Sequence, residues 1–138
     1  MGNLLNLREP NDKSTKLNVL GQPIEECSCD PMTGWKRDGS CATDENDQGQ
    51  HTICCVMTDD FLKFSKDQGN DLSTPHPEFG FPGLRAGDHW CLCAERWKEA
   101  FDQEAAPGVS LKACHQSALS VIPLNILRQY DVDANSLH

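Results

Sequence analysis

The sequence predicts a small α+β domain with a short mixed sheet, two strand-to-helix units, long turn-rich loops and a C-terminal helix. The chain has 138 residues, which is the usual size of a single domain. Leu, Ile, Val and Phe together supply only 28 of them, so the apolar core must be thin. Eight cysteines are therefore an obvious second source of stability.

The first half of the chain holds one predicted strand-to-helix unit between irregular segments. Residues 1–16 are polar and lack a period, and they predict a flexible arm before a folded domain at 17–130 and a tail at 131–138. Leu17–Leu20 is a short strand candidate, and Cys27–Gln50 consists almost entirely of turn residues.

The first unit begins with a predicted strand at His51–Met57. Thr58 is a good helix N-cap, and Asp59 and Asp60 follow it in the first turn, where acidic groups favour the helix dipole. Gly69 is a natural stop for this helix.

The second half repeats this arrangement after a long loop, Asn70–Asp88, which contains three prolines and three glycines. The second unit is a strand at Asp88–Cys93 and a helix at Glu95–Gln103. The remaining predicted elements are a strand through Val109, Leu111 and Ala113, a helix at His115–Ile122, and a helical turn from Pro123 to Leu127.

The charge balance excludes several classes of function. The formal net charge is −9, which repels nucleic-acid phosphates and anionic membrane surfaces, and the sequence has no basic patch to offset it. Neither a signal peptide nor an apolar run of membrane-spanning length is evident. We therefore expect a cytoplasmic protein whose thiols are reduced and serve metal binding, redox chemistry or packing before disulfides.

The cysteines and histidines cluster at the two predicted strand-to-helix units. Strand alternation places His89, Cys91 and Cys93 on one face, and it pairs His51 with Cys55 on another. If the two strands are neighbours, a pocket of soft ligands forms between them, and Cys27 and Cys41 from the turn-rich segment could complete it. Zinc suits thiolate and imidazole ligands, although the sequence has no Cys-x2-Cys knuckle.

Two other uses of the cysteines stay open. Cys93 directly precedes a predicted helix, where the dipole favours a thiolate. Such a thiol could be the nucleophile of an enzyme or a redox sensor, with Cys91 as resolving thiol and His51, His89 or His115 as base. Alternatively the cysteines only pack the core of an interaction module, and His115 is better explained as a cap or a surface residue.

Two specific segments carry a resemblance to a known family: Gly69–Pro75, which reads GNDLSTP, and Trp90–Cys93, which reads WCLC. With Asn18–Gly21, Phe81–Leu84 and shorter motifs, they make the chain resemble an uncharacterised family, domain of unknown function number twenty-two thirty-seven, over Leu17–Leu127. The resemblance implies no function.

The resemblance also changes one ligand assignment. It puts Cys54, and not Cys55, on a motif position. This assignment agrees with strand alternation if the strand starts one residue later or if a bulge lies near His51. Our leading hypothesis is therefore a zinc-binding domain that acts on a small molecule near the Asn70–Asp88 loop or uses the metal to pin its loops. The candidate ligands are Cys27, Cys41, His51, Cys54, Cys91 and Cys93.

Overall fold

The computed structural model describes residues 16–44, 46–47 and 49–135 as one α+β domain around a three-stranded sheet. Strands β1 (His51–Val56), β2 (His89–Cys93) and β3 (Gly108–Val109) lie in the order β2-β1-β3. The predicted fold class is confirmed, and both strand pairs are antiparallel. The predicted arm, apart from Lys16, and the last three residues of the predicted tail lie outside the described residues.

Four α-helices accompany the sheet in the described part of the chain: α1 (Asp59–Asp67), α2 (Ala94–Asp102), α3 (Leu124–Arg128) and α4 (Val132–Asn135). Helix α1 begins and ends as its sequence predicts. The Thr58 hydroxyl accepts the Phe61 N–H at 3.0 Å, and Gly69 adopts a left-handed φ of +91° just after the helix. None of the described helices is long and apolar enough to cross a membrane.

Helix α2 is fixed to the core by an aromatic cluster. The buried Trp97 stacks on Phe101 with ring centroids 5.7 Å apart, and Tyr130 meets it edge-on at 5.1 Å. The Trp97 indole N–H donates to the Pro107 carbonyl at 3.1 Å, so its polar atom is satisfied inside the core. The ring contacts and this hydrogen bond hold α2 against the core, and α2 directly follows the last residue of β2.

Three elements have a different secondary structure from the one that the sequence predicts. Leu17–Leu20 makes isolated bridges and no strand, and the predicted strand after Val109 turns into a 3₁₀ helix at Leu111–Ala113. There the Ala113 and Cys114 amides donate to carbonyls three residues back, which removes them from the sheet. The segment predicted as a helix from His115 is a 3₁₀ helix at Gln116–Ser120.

The pairing of β1 with β2 contains the irregularity expected near His51. His51 lies opposite Cys93 and Ile53 opposite Leu92, so the register shifts between His51 and Ile53. Beyond the shift, Cys54 lies opposite Cys91. The His51–Cys93 pair therefore lies at one end of the β1–β2 pairing, separated from the Cys54–Cys91 pair by the Ile53–Leu92 pair.

Candidate functional site

Two disulfides join the turn-rich segment to the two longest strands. Cys27 pairs with Cys54 of β1, and Cys41 pairs with Cys91 of β2. All four residues are buried, and the two bridges attach the ends of the segment between Cys27 and Cys41 to neighbouring strands. A long segment with few apolar residues is thereby held against the sheet.

This pairing bears directly on the predicted zinc site. The Sγ atoms of Cys27, Cys41 and Cys54 lie within 4.8 Å of one another, so the sequence correctly brings these thiols together. The two pairs at disulfide distance nevertheless favour disulfides over metal binding. Four of the six predicted ligands are used in this way, while His51 and Cys93 lie together elsewhere. Cys91, bonded to Cys41, is also not available as the predicted resolving thiol for Cys93.

The cysteines outside the disulfides differ in their surroundings. Cys55 and Cys114 are fully buried. Burial raises the pKa of Cys55 well above its ordinary value and that of Cys114 to about 12. Cys114 Sγ also lies 3.3 Å from the Cys54 amide and 3.2 Å from the Ser110 carbonyl. These two thiols pack the core, as expected for buried cysteines, whereas Cys29 lies at the surface and Cys93 is half-buried.

Cys93 opens into a cavity of about 330 Å³ beside the Cys41–Cys91 disulfide. The cavity is bounded by the turn-rich segment, the end of the sheet that carries His51, and the beginning of the loop after α1. Its volume falls at the lower end of the range of small-molecule sites. Its lining comprises Gly34, Trp35, Arg37, His51, Asn70, Leu72, Trp90, Cys91, Leu92 and Cys93.

His51 is held at the cavity by a buried carboxylate. Asp47 Oδ1 lies 2.7 Å from His51 Nδ1, and the side chain of Asp47 is 0% exposed against 39% for that of His51. Because an ionised carboxylate can only accept, this contact places the proton on Nδ1 and leaves Nε2 as the basic nitrogen of a neutral ring. No described residue forms a hydrogen bond with Nε2.

The other bonds of Asp47 keep its carboxylate ionised. Burial alone would raise the pKa of Asp47, but the backbone N–H of His51, the Thr43 hydroxyl and the His51 ring outweigh it and hold that pKa below its ordinary value. The Thr43 hydroxyl donates to Oδ2 at 2.7 Å and the His51 backbone N–H at 2.8 Å. The carboxylate is thus oriented independently of the imidazole that it holds.

The imidazole is also fixed by packing on its ring. Trp35 lies parallel to it, with centroids 6.2 Å apart and an interplanar angle of 6°. Gly49 lies so near that an added Cβ would be only 2.9 Å from Cε1 of the ring. A side chain at this position would therefore push against the imidazole, which the contact with Asp47 holds in place.

Cys93 faces His51 across the sheet and begins α2 as its N-cap residue. The amide of Ala94 donates to the Gln50 carbonyl at 3.0 Å, which ties the start of the helix to the residue before His51. The Cys93 thiol makes no hydrogen bond to any described residue. Cys93 and His51 therefore line the same cavity from paired positions on neighbouring strands, without a hydrogen bond between the thiol and the imidazole.

The other two candidate bases lie away from this cavity. His89 is at the opposite end of β2, where it pairs with Val56. His115 caps a 3₁₀ helix by accepting the Ser117 N–H at Nδ1, 3.1 Å away, which confirms the prediction of a cap. Because β1 and β2 are antiparallel, His51 at the start of β1 lies opposite Cys93 at the end of β2, while His89 lies at the other end of the pairing.

Three residues of the site were not predicted: Asp47, Trp35 and Arg37. Asp47 lies in an acidic stretch that is also explained by solvation, and its position four residues before His51 is the one local signal that could have identified it. Trp35 and Arg37 lie in turns far from β1 in sequence, so nothing local indicates their contact with His51 and Trp90.

One family model matches most of the chain. Residues 17–131 match the family described as "Uncharacterized protein conserved in bacteria (DUF2237)". No curated protein matches the chain.

Proposed function

The chain belongs to this bacterial family, whose description names no activity, and we propose that its function is nucleophilic thiol chemistry by Cys93 on a small molecule. The observation that carries the proposal is the 2.7 Å contact between buried Asp47 and His51 Nδ1, on a histidine that pairs with Cys93 across the sheet. Both His51 and Cys93 line the same cavity.

Each of the three residues has a distinct role in this proposal. Cys93 forms a bond from sulfur to an electrophilic carbon of the substrate, and the leaving group departs with the electron pair of the broken bond. His51 accepts the thiol proton at Nε2. Asp47 touches neither sulfur nor substrate, and it is a positioning residue that fixes the tautomer and stabilises the imidazolium.

The rest of the fold supports this use of Cys93. Cys27, Cys41, Cys54 and Cys91 are consumed in disulfides, and Cys55 and Cys114 have no access to solvent. A reagent that enters the cavity therefore meets one thiol. The Asn70–Asp88 loop contributes Asn70 and Leu72 to the lining, in keeping with the small molecule predicted near it.

The rate of alkylation of Cys93 by iodoacetamide at neutral pH tests the proposal. The measurement is made in a Cys29→Ser background, so that the surface thiol does not react. His51→Asn should slow the reaction at least tenfold, because a positioned general base contributes roughly 10²–10⁴ to a rate. His89→Asn is the matched control, since it changes a half-buried histidine at the far end of the same strand pair, and it should leave the rate unchanged. Equal rates for His51→Asn and the parent would refute the assignment of His51 as base.

A second candidate function follows from the cluster of Cys27, Cys41 and Cys54, whose sulfurs lie within 4.8 Å of one another in a buried site. In a reducing compartment such as the cytoplasm that the sequence predicts, these thiols and Cys91 would be available as four soft ligands, which suit zinc. The test is to reduce the folded protein with a phosphine, add zinc and remove the excess. One tightly held zinc per chain, lost in Cys54→Ala, would support this function, and a content below about a tenth would rule it out.

A further inference from the structure

We propose that the cavity beside Cys93 takes a small organic substrate with a carboxylate group, and that Arg37 binds this carboxylate. The inference rests on the proposed function, because it names the substrate class of that same site. Its first support is the charge of the lining. The chain has a formal net charge of −9, yet no acidic residue is among the described residues that line the cavity, which include Arg37 and His51.

The guanidinium of Arg37 is available for a ligand. Its Cζ lies 5.0 Å from the centroid of the Trp90 ring, and it forms no ion pair with any described carboxylate. Lys36, the residue before it, is instead paired with Asp44 at 3.4 Å. The contact with Trp90 holds the guanidinium beside the cavity, and a guanidinium can bind a carboxylate through two parallel N–H bonds.

The backbone at Arg37 supports a specific role for this side chain. Arg37 has a φ of +54°, in the left-handed region where residues other than glycine and asparagine are uncommon. Its amide donates to the Gly34 carbonyl at 3.0 Å, which closes the turn that holds it there. Backbone in this region is often found at ligand-binding positions, and the turn at Arg37 lies where its guanidinium contacts Trp90.

The remaining lining defines what the rest of the substrate can be. Trp35, Leu72 and Trp90 supply apolar walls, and the amide of Asn70 supplies a neutral polar contact. A cavity of about 330 Å³ admits a small metabolite and excludes a folded protein segment. A substrate with a short apolar body, a carboxylate at Arg37 and an electrophilic carbon at Cys93 would match each part of this lining.

Two alkylating reagents of similar size, one with a carboxylate and one with a neutral amide, test the inference. Iodoacetate and iodoacetamide alkylate a thiol by the same displacement: a bond forms between sulfur and carbon, the carbon–iodine bond breaks, iodide leaves with the electron pair, and the thiol proton passes to His51 or buffer. The quantity measured is the ratio of the rate constant for iodoacetate to that for iodoacetamide, in the Cys29→Ser background. Arg37→Gln should lower this ratio roughly tenfold, which is the effect of losing about one charge-assisted hydrogen bond.

Lys36→Gln is the matched control, because it removes the same charge from the adjacent exposed residue and should change the ratio less than about twofold. Arg37→Lys keeps the charge and should retain part of the preference for iodoacetate, and its melting temperature and that of Arg37→Gln verify folding. An unchanged ratio in Arg37→Gln, with Cys93 still fast and still dependent on His51, would overturn this inference and leave the proposed function intact. Slow reaction with both reagents and no effect of His51→Asn would overturn both.

Discussion

Removing either disulfide should cost this small domain a large part of its stability. In the chain-entropy account, the cost grows with the loop that the bridge closes, and it is about 3.5 kcal/mol for Cys27–Cys54, with 27 residues of separation. The same relation gives about 4 kcal/mol for Cys41–Cys91, with a separation of 50. Small domains are stable by only about 5–15 kcal/mol in total, so each loss is a substantial fraction.

Urea unfolding of the variants Cys27→Ala/Cys54→Ala and Cys41→Ala/Cys91→Ala, without reductant, measures these losses of free energy directly. In thermal unfolding, the melting temperature of each variant should fall by roughly 10 °C or more, as expected for a chain of this size. Cys55→Ala is the matched control, because it removes one buried sulfur that is not bridged and so gives the packing cost alone. If a double variant loses no more than twice the cost of Cys55→Ala, the bridges do not stabilise the domain and the reasoning is wrong.

Three further predictions concern single side chains. Asp47→Asn should lower the free energy of unfolding by roughly 1.5–3 kcal/mol, because hydrogen bonds to a buried charge are lost. It should also slow the alkylation of Cys93. The control Asp44→Asn, at a partly exposed ion pair, should change neither quantity. Ellman's reagent without reductant should detect two thiols, Cys29 and Cys93, in the native protein and four after unfolding in urea. Cys55 and Cys114 should react only after unfolding, because burial raises the pKa of both thiols. Early reaction of more than two thiols would contradict the packing described above. Burial, with a smaller contribution from Lys16, holds the pKa of His115 below its ordinary 6.5. As the pH falls, the unfolded chain therefore binds a proton at His115 before the folded protein does, and the free energy of unfolding should fall below about pH 6.5. His115→Gln should reduce this pH dependence, and an unchanged dependence would refute the assignment.

Local sequence signals predict the strand-to-helix units well. Thr58, Asp59 and Gly69 define α1 because capping and dipole interactions involve only neighbouring residues. These signals depend on a few consecutive residues, which the sequence displays directly. The shift of register near His51 is one of the two ways in which the family resemblance, which puts Cys54 on a motif position, could agree with strand alternation.

The partners of the cysteines could not be predicted in the same way. Cys27 and Cys41 lie in a segment without periodicity, and their proximity to Cys54 and Cys91 depends on how that segment folds over the sheet. The sequence correctly brought these thiols together but suggested metal ligands where the structure has disulfides. The contacts of Trp35 with His51 and of Arg37 with Trp90 are likewise tertiary, and no spacing rule connects a turn to a distant strand.

The central claim is that four cysteines are structural bridges and that Cys93 is the chemically accessible thiol of the cavity. Brief labelling of the unaltered, folded protein with a small amount of iodoacetamide, followed by peptide mapping by mass spectrometry without reduction, tests it most directly. We predict that the label is found first on Cys93, ahead of the surface residue Cys29, with Cys27 still linked to Cys54 and Cys41 to Cys91. Label on Cys29 before Cys93, or on any of the four bridged cysteines, would contradict the account.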